Sequence, residues 1–378
     1  AYILTQTILF SPAEELESAH KPDIANVYNW LVFDMEDDIS MRYSTYMHIT
    51  GVENWRRFRS PEDNGREMME IYLLDFQDAH VPIAATALQN WYLDNESDTL
   101  VIGLNKNTEP LSLFHTTIID GFDFYRELVK SDAFVTGITS RLVDFFFDST
   151  AIEQKASIVD KIVHSTPERW EDILMQLVFS REYLLHSDRQ KSLEELFFSL
   201  VKKMPYKHYY KTFRNLTWVL DDANQSSMRY KLGRIERTPL DTLSFAYYYQ
   251  FVYEYLAYTS VDCDYLDDYS EYASEGWLPA FTDERHFTLV EDAPEQSMIS
   301  FINYLFLTLI QRYPYQQEMD MFLDAMLEDD RTQYNGSYNL EWQNDTGCYG
   351  GREKTAARVI DYCARLTEFY WLEGVENK

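Results

Sequence analysis

Apolar residues along most of this chain recur at three- and four-residue intervals, the spacing of helices that bury one face and wet the other. Several of these runs open in the same way. Ser11-Pro12-Ala13-Glu14, Ser60-Pro61-Glu62-Asp63, Thr166-Pro167-Glu168 and Thr238-Pro239-Leu240-Asp241 each place a capping hydroxyl before a proline. That proline suits the first helical position, where no amide hydrogen is needed, and the carboxylate that follows sits near the positive end of the helix dipole. Ser192-Leu193-Glu194-Glu195 adds a capping box without proline. Together these signals predict helices over 12–20, 25–34, 61–79, 81–93, 119–130, 133–147, 151–164, 167–186, 192–204, 206–220, 239–258, 297–312, 315–328 and 354–371. Strand-like patterning is confined to 99–104 and 111–117, on either side of a turn over 105–110. It predicts one small hairpin in a helical body. The stretches 261–296 and 331–352 lack periodicity but hold Trp277, Phe281, Phe287, Tyr334, Tyr338 and Trp342. Such aromatic content predicts ordered loops packed onto the body.

A divergent repeat is legible within the helical pattern. Leu142-Val143-Asp144-Phe145-Phe146-Phe147, Glu153 and the ending Arg181-Glu182-Tyr183 make the first copy. Leu307-Thr308-Leu309-Ile310, Glu318 and the ending Thr367-Glu368-Phe369-Tyr370 make the second. In each, an apolar helix meets an acidic second helix, and a third ends in a short Glu-aromatic signature. The expected fold class is mainly α: a multi-helix orthogonal array with a divergent internal helical repeat, long ordered loops and at most one small β-hairpin. The expected organisation is an N-terminal helical region over 1–130, carrying the hairpin near 99–117, and a C-terminal helical region over 131–378. The latter carries the repeats at about 142–186 and 299–371.

Short words in the chain resemble a broad group of exported, largely uncharacterised bacterial helical proteins. They are the Gln311-Arg312-Tyr313-Pro314 turn with Glu318 and Phe322-Leu323, the endings Ser180-Arg181-Glu182-Tyr183 and Thr367-Glu368-Phe369-Tyr370, and Arg66-Glu67-Met68. Members of that group often accompany c-type cytochrome domains or cell-surface systems. The resemblance therefore implies an accessory role outside the cytoplasm, with a cytochrome as one candidate partner. This chain departs from the cytochrome-bearing members in having no haem motif.

Charge narrows the partners. Lys and Arg number 33 against 63 Asp and Glu, a net charge of -30 over 378 residues. Such a field repels nucleic acid and anionic membrane surfaces. Solubility is its plainest consequence. Twelve Gly and 11 Pro are too few for a turn-rich sandwich or barrel. No run approaches the ~18 apolar residues of a membrane span; 299–310 comes nearest and is broken by Ser300, Asn303 and Thr308. The chain opens on Ala1 with no leader pattern, which we read as a mature protein whose export signal has been removed, extracellular or periplasmic. Its three cysteines form no CxxC, which excludes covalent c-type haem and a four-thiolate zinc. Cys363 falls on an apolar helical face and reads as core. Cys263 and Cys348 lie in polar stretches and form a candidate disulfide in an oxidising compartment.

Candidate chemistry is sparse. Asp262, Asp264, Asp267, Asp268 and Glu271 form a dense set of oxygen ligands, a candidate Ca²⁺ site. Asp267 and Ala273 occupy the positions where an EF-hand loop requires Gly and Glu, so that motif fails, and a solvated acidic loop is the plainer reading. Asp34, Glu36, Asp37 and Asp38 make a second acidic cluster. No His pair has metal-ligand spacing, and the nucleophile elbow, phosphate loop and dinucleotide fingerprint are all missing. No catalytic residue and no resident cofactor follow from the motifs.

The sharpest anomaly is electrostatic. Lys202, Lys203, Lys207, Lys211, Arg214, Arg229, Lys231, Arg234 and Arg237 face only three acids in their segment, so 202–237 carries +6 while the rest of the chain carries -36. Tyr206, Tyr209, Tyr210, Phe213, Trp218 and Tyr230 interleave the cations. An acidic protein surface is the natural complement, and another copy of this chain supplies one. Cations that neutralise acids within one fold are the plainer alternative. The expectation is a non-enzymatic structural or accessory subunit of an exported assembly, joined head to tail to itself or to another exported protein. Two alternatives stay open: a secreted polysaccharide-acting enzyme or glycan-binding protein, and a docking partner of a c-type cytochrome.

Overall fold

A computed structural model gives the fold, described over residues 1–9, 22–74, 77–94, 96–147, 150–186, 191–203, 216–220, 222–223, 242–252, 294–333 and 351–370. The protein is mainly α-helical, as the periodicity requires. Two compact units divide the described residues, one within 1–186 and the other within 191–370.

The first unit is built around α5 (Pro61–Leu73). Ser60 caps it as predicted, its hydroxyl accepting from the Asp63 amide at 3.1 Å with Pro61 in the first turn. The helix packs on α6 (Val81–Ala87), α7 (Gly121–Lys130) and α8 (Asp132–Phe146). Among the described residues four helices precede it: α1 (Tyr2–Thr7), α2 (Pro22–Glu36), α3 (Met41–Ile49) and α4 (Val52–Arg57). The apolar pattern missed α3 because its buried face is half polar, with Ser44 and Thr45 beside Met41 and Ile49. The unit closes with α9 (Ile152–His164), α10 (Trp170–Val178) and α11 (Arg181–His186).

One close approach depends on glycine. A Cβ on Gly137 of α8 would lie 2.1 Å from the Tyr72 carbonyl oxygen near the end of α5. The bare backbone lets the two helices touch, and Arg141, one turn further along α8, donates to the carbonyls of Ile71 (2.6 Å) and Glu70 (2.8 Å). Carbonyls left over at the C-terminal end of α5 are thereby satisfied. Burial of this guanidinium lowers its pKa.

The strands differ from the expected hairpin. The 99–104 and 111–117 segments do not pair with each other. Instead β1 (Trp91–Leu93) pairs antiparallel with β2 (Leu100–Ile102), and β3 (Leu111–Leu113) with β4 (Thr116–Ile118). Local polar side chains decide this. Asp94 accepts from the amides of Ser97 (2.8 Å) and Glu96 (3.1 Å), which turns the chain back after β1. The Ser97 amide, ahead of the Ser97 hydroxyl, holds the Asp94 carboxyl below the usual range. Asn107 donates to the carbonyls of Glu109 (2.6 Å) and Ile119 (2.7 Å), fixing the next loop. The helix predicted over 81–93 stops at Ala87 because Trp91 is needed in the core, stacked on Trp55 at 5.6 Å and edge-on to Tyr125 at 5.4 Å.

Residues of α7 and α8, on either side of the expected 130/131 division, contribute to one core. One further expectation is corrected. Thr166-Pro167 does not start a helix: Thr166 has φ 52° and α10 begins at Trp170, with Asp172 accepting from the amides of Arg169 (2.9 Å) and Glu168 (3.1 Å).

The second unit comprises α12 (Leu193–Lys203), a helical turn at 216–220, α13 (Thr242–Phe251), α14 (Pro294–Ile310), α15 (Gln316–Gln333), α16 (Gly351–Ala364) and α17 (Thr367–Tyr370). The capping box at Ser192 forms, with Ser192 donating its amide to Glu195 at 2.8 Å and Glu195 donating its amide back to the hydroxyl at 3.2 Å. The core joins Phe197, Phe251, Phe306, Phe322, Ile360 and Phe369. The apolar helix expected over 239–258 sends Tyr248 and Phe251 into this core, though Leu243 stays 58% exposed. Packing departs from a strict repeat. In the first copy α8 packs chiefly on α9, the helix that follows it, whereas α14 packs chiefly on α16.

Candidate functional site

Of the basic segment, Lys202 and Lys203 are described. Both end α12, where cations complement the negative end of the helix dipole. Lys202 is exposed, while Lys203 donates to the Leu309 carbonyl at 2.9 Å and ties α12 to the end of α14. Lys207, Lys211, Arg214, Arg229, Lys231, Arg234 and Arg237 lie outside the described residues, as do Asp262, Asp264, Asp267, Asp268, Glu271, Cys263 and Cys348. Cys363 is the buried core residue the pattern predicts, and burial pushes its thiol far up. Among the described residues no three His, Cys, Asp or Glu side chains converge, and no helix is long and apolar enough to cross a membrane.

The second acidic cluster is placed, and it closes α2. That helix turns Asp23, Val27 and Leu31 inward at four-residue intervals. Asp23 pairs with Arg56 at 2.6 Å and anchors the N-terminal turn. The C-terminal end is a Schellman turn: Ile39 donates its amide to the Asp34 carbonyl at 2.8 Å, and Asp38 takes the left-handed position with φ 55°. Asp38 pairs with Arg169. Glu36 and Asp37 stay exposed, and neither forms an ion pair among the described residues. No basic residue occupies the last turn of α2, so these carboxylates add to the negative end of the helix dipole.

The outward side of the same helix is aromatic. Trp30 is 65% exposed and Phe33 58%, their rings edge-to-face at 6.5 Å. Asn26, Trp30, Phe33 and Asp37 follow one another at helical spacing, so one ridge runs from amide to aromatic to acid. Periodicity alone could not find this surface, because an aromatic next to an apolar stripe reads as an extension of the buried face. Beside the acidic end lies an open depression of about 710 Å³ lined by Asp38, Ser165, Arg169, Asp172, Met175 and Gln176. Arg169 lies on its wall between Asp38 and Asp172 (3.4 Å), with Glu168 alongside.

In the second unit the charged words of the 311–318 turn form a staple. Glu318 accepts from both terminal nitrogens of Arg312 (2.7 and 2.8 Å), from the Tyr315 amide (2.7 Å) and from the Tyr362 hydroxyl (2.9 Å). Arg312 also meets Glu368 at 3.3 Å and lies 4.3 Å from the centre of the Tyr315 ring. The Arg312 hydrogen bonds hold the Glu318 carboxyl below its ordinary range, and burial followed by Glu318 pushes the Tyr362 hydroxyl up to about 12. These hydrogen bonds all close within the unit, so the group works as structure.

No protein-family model, no curated protein and no solved structure matches this chain.

Proposed function

We propose that this protein works by association, as a non-enzymatic structural or accessory subunit of an extracellular or periplasmic assembly, with contacts between copies or with another exported protein made through surfaces of opposite charge. The observation that carries this reading is the separation of charge along one chain, +6 over 202–237 against -36 elsewhere. A field so divided favours docking of the positive segment onto a negative surface in preference to contact between like surfaces. Contact between two different patches is heterologous, and repetition closes it into a ring or extends it as a filament. The exposed aromatic side of α2, with uncompensated carboxylates at its end, is the sort of surface such contacts use.

The test is self-association against ionic strength. Light scattering from micromolar concentration upward should show mass rising as salt falls, since Debye screening weakens contacts between exposed charges. Lys207→Glu with Lys211→Glu should lower that mass. A monomer insensitive to salt over the same range overturns the reading.

A further inference from the structure

We propose that the acceptor for the basic segment is the ridge on α2, so that Trp30, Phe33, Glu36 and Asp37 of one copy receive residues 202–237 of another. This rests on the association reading above and adds the address of the contact. Two observations on this helix and one on the basic segment favour it.

First, two large aromatic side chains stand in solvent where small polar ones would serve solubility better, Trp30 at 65% and Phe33 at 58% exposure. Their rings meet edge to face and so present one continuous aromatic surface. Second, the ridge ends in two carboxylates without cationic partners among the described residues, at a helix end that already bears partial negative charge. Of the acids at this end of α2, Asp38 is the one that Arg169 reaches. Third, 202–237 has the matching composition: cations to pair with Glu36 and Asp37, long apolar stems to lie on the rings, and tyrosines among them. A second copy is thus the occupant whose chemistry fits, because the same chain carries both halves.

Aromatic and acidic groups follow one another along α2, so the ridge offers both kinds of contact to a segment whose sequence holds cations and aromatics together. Reversal of the charges on either side should be deleterious, and reversal on both should compensate.

Three variants separate the outcomes: Trp30→Ala with Phe33→Ala, Glu36→Lys with Asp37→Lys, and Lys207→Glu with Lys211→Glu. All are compared with wild type by sedimentation at low salt, with circular dichroism to verify folding. Each pair should weaken self-association more than tenfold, and the two charge reversals combined should restore it to within about threefold. Carbodiimide cross-linking of an equal mixture of ¹⁴N- and ¹⁵N-labelled protein should join Glu36 or Asp37 to Lys207 or Lys211 in mixed-isotope pairs. Self-association that responds to Lys207→Glu with Lys211→Glu but not to the α2 variants overturns the ridge and leaves the association reading standing. Cross-links found within single-isotope chains alone also overturn it. A wild-type monomer that ignores salt removes both.

Discussion

Removal of the Glu318 carboxylate should destabilise the second unit by about 3 kcal/mol. Glu318 is 8% exposed and accepts four hydrogen bonds, two from a guanidinium, one from an amide and one from a phenol. Charge-assisted bonds of this kind contribute about 1.5–3 kcal/mol each when broken singly, though they do not add. Stranding the partner of a buried ion pair costs about 3–5 kcal/mol. The Arg312 side chain is 20% exposed and keeps Glu368 at 3.3 Å, which brings Glu318→Ala to the lower end of that range. By calorimetry the corresponding transition should fall by roughly 6–12 °C, at about 2–4 °C per kcal/mol for a unit of this size. Replacing both partners, Arg312→Met with Glu318→Leu, should recover most of the loss, since no buried charge is left alone. The pH dependence is specific. The folded-state carboxyl is held below its ordinary value of 4.5, first by Arg312, so its contribution is complete above that value and fades as pH falls through the lowered one. The gap between wild type and Glu318→Ala should therefore narrow below about pH 4.5. A loss under about 0.5 kcal/mol at neutral pH, or a double variant as unstable as the sum of the singles, would refute the argument.

The remaining predictions concern the first unit and association. Gly137→Ala should cost about 3 kcal/mol in urea denaturation, because its Cβ would meet the Tyr72 carbonyl at 2.1 Å and force α5 and α8 apart; an unchanged midpoint would contradict the helix contact. Burial, aided by the nearby Arg57, holds the His48 imidazole down to about 3. Its neutral form then favours folding fully above the unfolded value of 6.5 and less as pH falls towards the folded one, at about 1 kcal/mol per pH unit after allowance for its partly exposed ring. His48→Gln should flatten the loss of stability between pH 7 and pH 5, and parallel curves would show that His48 titrates normally. Self-association should respond to salt, to the Lys207 and Lys211 reversals and to the α2 variants as set out above.

How much of the candidate site was legible follows from the physics of each signal. The acids at 34–38 and the cations at 202–237 are visible as composition. That Asp38 meets Arg169 is not, since 131 residues separate them and only folding brings α10 to the end of α2. The exposure of Trp30 and Phe33 was likewise hidden: a 3.6-residue period shows that one face of α2 is buried, but the same residue types on the other face carry no mark of solvent. The Arg312–Glu318 pair stood in the sequence as a turn word; its connection to Tyr362 and Glu368 needed the return of α16 and α17.

Local chemistry alone determined the helical class, the caps at Ser60 and Ser192, the core position of Cys363 and the polarity of the charge along the chain. These are set by residues within a turn or two of one another, through capping, dipole and periodic burial. Tertiary structure decided the rest. It stopped the 81–93 helix so that Trp91 could stack on Trp55, and it joined α7 to α8 in one core. The reason is common to both. A side chain's preference among helix, strand and turn is worth about 1 kcal/mol or less, whereas burial of one tryptophan or phenylalanine is worth several times that, so the partner found far along the chain prevails.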